Sequence, residues 1–308
     1  MRKQLCDSLV DRSIDPKMIF LTGDLGFMAL EPLQKAMSAR FINAGVAEQN
    51  MVTVAAALAK EGFSPWVYSI APFCYARPFE QIRNDVAFHN LPVKLIGNGG
   101  GYGYGVMGPT HHAIEDYGIL LTLPNLRVFV PAFDQDIESC LRSVDGCARP
   151  SYIRLGRGEI PVGYVSPDYA PWRQLTFGGG IPIVVIGPIV GTFLADIQAF
   201  PEEARPNMWV VTELPLESNP LPVQLVQQII ESSSLCVVEE HVSRGGLGAD
   251  LAMWLLHHQI HVKHFRHLFA RSHQFGTYGS QNFLRAKSQL DSASLLSAIH
   301  FKTPTTPL

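Results

Sequence analysis

Short apolar runs that end at glycine, proline or asparagine alternate with helix-length stretches through most of this chain. Such an alternation confines the fold to a mostly parallel sheet covered on both faces, because parallel strands need long crossover connections and helices supply them. In the first half the runs are Met18–Thr22, Phe41–Asn43, Phe63–Ile70, Pro92–Ile96, Arg127–Val130 and Ser151–Leu155. Helices are predicted over Gln4–Arg12, from Glu48 onward, over Phe79–His89 and over Asp134–Ser143. From Pro161 to Gly180 the period vanishes while Pro, Gly and polar residues accumulate, which reads as a linker. The alternation then restarts, with strands at Ile181–Ile186, Met208–Val211, Leu235–Glu239 and near His261–Phe265. Helices are expected near Val190–Phe200, over Val223–Ser232 and Ala249–His257, and near Ala293–His300. Two doubly wound α/β domains follow, residues 1–165 and a smaller one over 178–302, with Thr303–Leu308 as a frayed tail.

A chain of 308 residues with 47% hydrophobic content is long enough to bury two cores. Its formal charge is −3 with no basic or acidic block, so nothing points to nucleic acid or a membrane surface. No apolar run reaches the roughly 18 residues of a membrane span. The start, Met1 to Asp7, lacks the apolar core of a signal peptide. Five scattered cysteines, an odd number, then read as reduced thiols of a cytoplasmic protein.

The richest stretch is Phe41-Ile-Asn-Ala-Gly-Val-Ala-Glu-Gln-Asn-Met51. From Met51 to Ala59 only Thr53 is polar, so the helix is expected to be buried on all sides. Glu48 falls in its first turn, where a carboxylate complements the helix dipole. Among apolar neighbours it also needs a partner or a shifted pKa, which makes it a candidate chemical group. The glycine-rich loop Gly97–His112 follows a strand but runs through Pro109 instead of opening a helix, so it is a poor dinucleotide fingerprint. Its end, Gly108-Pro-Thr-His-His112, presents two imidazoles at a strand's carboxyl end, where open α/β sheets bind ligands. Phe73 and Tyr75 follow another strand end and can stack on a planar ring, or simply fill the core. The histidines 257, 258, 261, 264 and 267 straddle a change from helix to strand and fit no common zinc spacing. Glu239-Glu240 is read as a strand end and assigned no chemistry.

Taken together, Asn43-Ala-Gly-Val-Ala-Glu48-Gln49, the aromatic segment Phe73–Arg77, Gly108-Pro-Thr-His111 and Leu123-Pro-Asn-Leu-Arg127 resemble transketolases, in order and spacing, over nearly the whole chain. They are also similar to 1-deoxyxylulose-5-phosphate synthase. The resemblance implies a pyrimidine-binding domain followed by a transketolase C-terminal domain. The Gly-Asp-Gly motif of the family's diphosphate-binding domain is missing; Gly23-Asp24-Leu25 only mimics it. The chain therefore resembles the C-terminal half of a split transketolase, with thiamine diphosphate as cofactor and Mg²⁺ held by an N-terminal diphosphate-binding subunit, in an α2β2 assembly.

By the same resemblance Glu48 hydrogen-bonds the pyrimidine ring nitrogen and helps to activate the cofactor. Phe73 stacks on the ring, with Tyr75 as the fallback. His111 faces the substrate, with His112 beside it; Asp24 lies near the cofactor and the subunit interface; Arg157 binds the phosphate of a sugar-phosphate substrate. No metal ligand is implied in this chain. Two departures bear on the substrate. Val106-Met107 stands where the family has an acid that reads a sugar hydroxyl, and a phosphate-binding histidine is replaced by glycine near Gly99. The alternatives are a 2-oxo-acid dehydrogenase beta subunit, a pyruvate-decarboxylating synthase subunit, and a non-catalytic pseudo-subunit.

Overall fold

The computed structural model describes residues 1–299, and these form two sheets flanked by helices. His300 and the tail Thr303–Leu308 lie outside the described residues. The strands are β1 Met18–Thr22, β2 Phe41–Asn43, β3 Ser64–Ile70, β4 Lys94–Asn98, β5 Arg127–Phe129, β6 Ser151–Leu155, β7 Trp172–Gln174, β8 Pro182–Ile186, β9 Asn207–Val211, β10 Glu213–Leu214, β11 Ser234–Glu239 and β12 His264–Phe269. Strands β1, β4, β6, β8, β9 and β11 are buried at every residue. That is why they read as continuous apolar runs and not as alternations: helices cover both faces.

The larger sheet runs β10-β5-β6-β4-β3-β1-β2 and is parallel except for β10, which pairs antiparallel with β5. The smaller runs β12-β11-β8-β9-β7, with β7 the antiparallel strand at its edge. The α/β reading holds in both halves. The stretch read as a linker nevertheless contains β7, and the two-residue β10 returns from the second half to the edge of the first sheet. The last strand lies three residues further on than expected, at His264.

Two helices differ from expectation. The helix Glu48–Lys60 buries Met51, Val52, Ala55, Ala56 and Ala59 but leaves Thr53, Val54 and Ala57 exposed. The sheet covers one face only, and its apolar residues elsewhere lie on the surface of the chain. Over Phe79–His89 the α-winding stops at Gln81 and a wider π-wound turn runs from Ile82 to Ala87.

Second-half residues brace the loop that follows β4. Gly108 has φ +83° and a β-carbon there would lie 2.3 Å from the Tyr278 ring, so only glycine lets the segment lie so close. Glu240 accepts from the Tyr102 amide at 2.9 Å and pairs with Arg285 at 2.7 Å. Glu115 meets His273 at 2.7 Å. No helix among the described residues is long and apolar enough to cross a membrane.

Candidate active site

Loops from five strands of the larger sheet meet at its carboxyl edge. Gly23 and Asp24 follow β1, the turn into Glu48 follows β2, and Phe73 and Arg77 follow β3. The glycine loop follows β4, and Arg157 follows β6. The chain leaves β1 toward β2 on one side and β3 toward β4 on the other. Adjacent strands with connections that diverge in this way open a crevice between them.

Glu48 is the first residue of its helix and is 4% exposed. Gly23 backs it closely, since a β-carbon there would lie 3.7 Å from Glu48 Oε1. Arg77 Nη1 donates to the same oxygen at 2.8 Å. The Arg77 side chain is 44% exposed, and its guanidinium carbon lies 3.8 Å from the centre of the Phe73 ring. Phe73 in turn meets His111 edge-on, with centroids 5.0 Å apart at 68°. Burial, and after it the Arg77 charge, hold the His111 imidazole below its ordinary value, which favours the neutral ring.

Of the residues named from sequence, the fold brings Glu48, Phe73 and His111 together. Tyr75 is buried beneath them in the core, its phenol pushed up by burial and by Asp116 and Glu115. His112 is 1% exposed and turns the other way, stacking on His273 at 5.9 Å and meeting the Tyr102 ring at 5.0 Å. Neighbouring residues on a short turn point in different directions, so the pair does not act as a pair. Asp24 is exposed at the rim with φ 58°, and accepts from Asn43 Nδ2 at 2.8 Å. Arg157 is exposed and lines a cleft of about 480 Å³ with Arg2, Lys3, Asn98 and Tyr104. Tyr104 accepts from Asn98 Nδ2 at 2.6 Å, and its ring lies 6.4 Å from that of His111, linking the cleft to the imidazole.

Some participants escaped the sequence reading. In the sequence Arg77 is only the end of an aromatic segment. Its spacing of four from Phe73 is the available signal, because the turn just past the short helix Ala71–Tyr75 brings the two side chains together. Arg2 and Lys3 carried no signal, since only the folded sheet sets the start of the chain beside Arg157. Among the described residues no group of three or more His, Cys, Asp or Glu is placed to hold a metal ion.

Comparison with known proteins gives this mouth its family. Residues 10–162 match the transketolase pyrimidine-binding domain, and the chain belongs to the transketolase family. It is 27% identical over 270 residues to one subunit of the apulose-4-phosphate transketolase of Phocaeicola vulgatus, with 85% of each chain covered. It is 29% identical over 294 residues to the 1-deoxy-D-xylulose-5-phosphate synthase of Syntrophus aciditrophicus, covering 92% of this chain but 44% of the synthase. A solved split-gene transketolase, an inactive beta4 tetramer, superposes with a TM-score of 0.80 at 28% identity, covering 97% of this chain and 96% of the other. The chain is the C-terminal half, the beta subunit, of a split transketolase-type enzyme.

Proposed function

We propose that this subunit transfers a two-carbon ketol unit from a ketose, or its phosphate, to an aldose, using thiamine diphosphate held jointly with a diphosphate-binding partner. One juxtaposition carries the reading: a buried carboxylate beside an aromatic face that already holds a planar cation at stacking distance. A flat ring with an N–H donor at its edge fits that place. When bound, thiamine diphosphate supplies the carbon nucleophile that takes up and releases the two-carbon unit.

Glu48 would accept a hydrogen bond from the ring nitrogen at Oε1 and hold the proton there. Low exposure keeps competing water away and strengthens the bond. Phe73 fixes the ring plane. His111, neutral and beside Phe73, is placed to exchange a proton with a substrate hydroxyl. Asp24, exposed at the rim, would lie near a neighbouring subunit, as the family resemblance implies.

Arg157 and Arg2 supply fixed positive charge for a substrate phosphate. Planar guanidinium groups bind phosphate by paired donors. Met107 is 55% exposed where the family has an acid, so the acceptor is a sugar whose hydroxyl is not read by a carboxylate. The diphosphate and Mg²⁺ would fall to the partner, because the Gly-Asp-Gly motif of the family's diphosphate-binding domain is replaced here by Gly23-Asp24-Leu25. Relatives named as one subunit of a transketolase and as the product of a split gene support a separate N-terminal subunit, and the family resemblance implies an α2β2 assembly with it. Five free cysteines suit a reducing, cytoplasmic setting. Likeness to a synthase over 92% of this chain favours a second reading, in which pyruvate is decarboxylated.

Glu48→Gln in the assembled enzyme tests the assignment. Turnover of ketose is expected to fall by about 100-fold or more, the scale of a lost acid–base group, with the fold intact. Near-native turnover would remove Glu48 from the mechanism. Turnover of pyruvate with an artificial electron acceptor, and none of ketose, would favour the second reading.

A further inference from the structure

One side chain holds both contacts that the ring would make. Arg77 donates to Glu48 Oε1 at 2.8 Å and lies 3.8 Å from the centre of the Phe73 ring. A guanidinium is flat, has N–H donors in its plane and stacks on aromatic faces. It thus imitates a protonated heteroaromatic ring in shape and in donor position. Resting on the reading of Glu48 and Phe73 given above, we propose that Arg77 is a stand-in for the cofactor's aminopyrimidine. It keeps the site assembled while the ring is absent and turns out when the ring enters.

Three observations support the exchange. First, Glu48 is buried and Arg77 is its ion-pair partner among the described residues. A buried carboxylate without a partner is strongly disfavoured, so something must hold it before the ring arrives. The Cys74 thiol is no substitute: burial and the Glu48 charge push it up to about 12, which keeps it neutral, and a neutral S–H is a weak donor that brings no charge. Second, the Arg77 side chain is 44% exposed and sits just past the short helix Ala71–Tyr75. It has a way out into solvent without repacking the core. Third, the exchange balances once a proton is counted: the guanidinium's N–H···O bond and its stacked face are lost, and the ring, taking up one proton from solvent at its ring nitrogen, regains one of each. Arg77 is therefore a positioning residue that acts through Glu48. It sets the ring's affinity by competition and keeps the carboxylate aimed at the crevice. Its charge also contributes, after burial, to the depressed basicity of His111, so its departure would make that imidazole a better base as the site fills.

The test uses the full chain and the ring half of the cofactor alone, 4-amino-5-hydroxymethyl-2-methylpyrimidine, titrated by ligand-observed NMR. Arg77→Met, which keeps the aliphatic stem, is expected to tighten binding about tenfold, the order of one half-exposed charged hydrogen bond. Arg77→Ala serves as a second variant should the first fold poorly. A merely structural role for Arg77 would weaken binding or leave it alone, and either result overturns the proposal. Phe73→Ala separates this failure from failure of the site reading. If Phe73→Ala weakens binding while Arg77→Met does not tighten it, the ring site stands and the stand-in falls. If Phe73→Ala leaves binding unchanged in the Arg77→Met background, the ring binds elsewhere and both fall.

Discussion

Two buried glutamates separate the mouth of the larger sheet from the seam between the domains. Glu239, at the end of β11, accepts from Tyr117 Oη, from the Leu247 and Gly248 amides and from His267 Nε2. Burial pushes its carboxyl up, yet the His267 bond, the neighbouring His241 and His267 and the Tyr117 bond outweigh it and hold it below its ordinary value. Glu48, nearly as buried, has one ion pair, from an arginine that is 44% exposed. The seam repeats the pattern of Glu239. Arg154 is buried between Asp116, at 3.2 Å, and the carbonyls of Ala113 and Glu240. Burial alone therefore does not mark a chemical group. A carboxylate whose partners all come from the interior is fixed and structural, whereas one held by a removable partner is open to a ligand.

The sharpest way to break this contrast is to remove the carboxylate from one member of each set. Glu239→Ala orphans four donors and is expected to cost about 3–5 kcal/mol of stability. Glu48→Gln is expected to cost about 1 kcal/mol or less, because the departing arginine is half in water. Urea unfolding of both variants checks this, and similar losses would erase the distinction. At the cleft, Arg157→Ala is expected to raise KM for a phosphorylated ketose about tenfold with little change in kcat, as loss of ground-state binding requires. An unchanged KM would show that no phosphate binds there.

Two smaller effects carry a pH signature. Its hydrogen bond to Glu115 raises His273 above 6.5, outweighing burial. The same bond lowers Glu115 below 4.5, against the opposing effect of burial. The sign follows from linkage. The histidine's contribution is complete below pH 6.5 and fades as pH rises through its folded value. The glutamate's is complete above pH 4.5 and fades as pH falls through its folded value. Wild type is thus expected to exceed His273→Gln in Tm most between pH 4.5 and 6.5, by an amount worth less than about 1 kcal/mol for so exposed a pair. A difference that grows toward pH 9 would contradict it. Asp250 is raised from 3.8 to about 6, by burial first and then by Glu217 and Glu239. A carboxyl raised in the fold loses stability as pH climbs from 3.8 toward 6. Asp250→Asn is therefore expected to be slightly more stable than wild type at pH 8 and no more stable at pH 3.5, read by scanning calorimetry.

What was legible in the chain follows the same division. The buried strands showed themselves because covered parallel strands are apolar along most of their length. The two-residue β10 did not, since its pairing with β5 is decided by tertiary contact. The helix Ala71–Tyr75 was missed although Pro72 sits in its first turn, where proline is tolerated. Glu48 stood out as a lone carboxylate in apolar surroundings. The opposite facing of His111 and His112 was not legible, because it depends on Tyr102 and on His273, more than 150 residues away. Arg77 escaped for a related reason: a basic residue near a turn is ordinary until the fold sets it over Phe73.

The most direct measurement is a calorimetric titration of the pure chain with thiamine diphosphate and Mg²⁺, repeated after assembly with a diphosphate-binding subunit. In the proposed division of the cofactor, the chain takes the ring end and the partner the diphosphate end. Binding by the chain alone is expected to be weaker than by the assembly by several orders of magnitude, at about 1.4 kcal/mol for each tenfold, and ketol transfer is expected only after assembly. Micromolar binding and ketol transfer by the isolated chain would contradict the half-site reading.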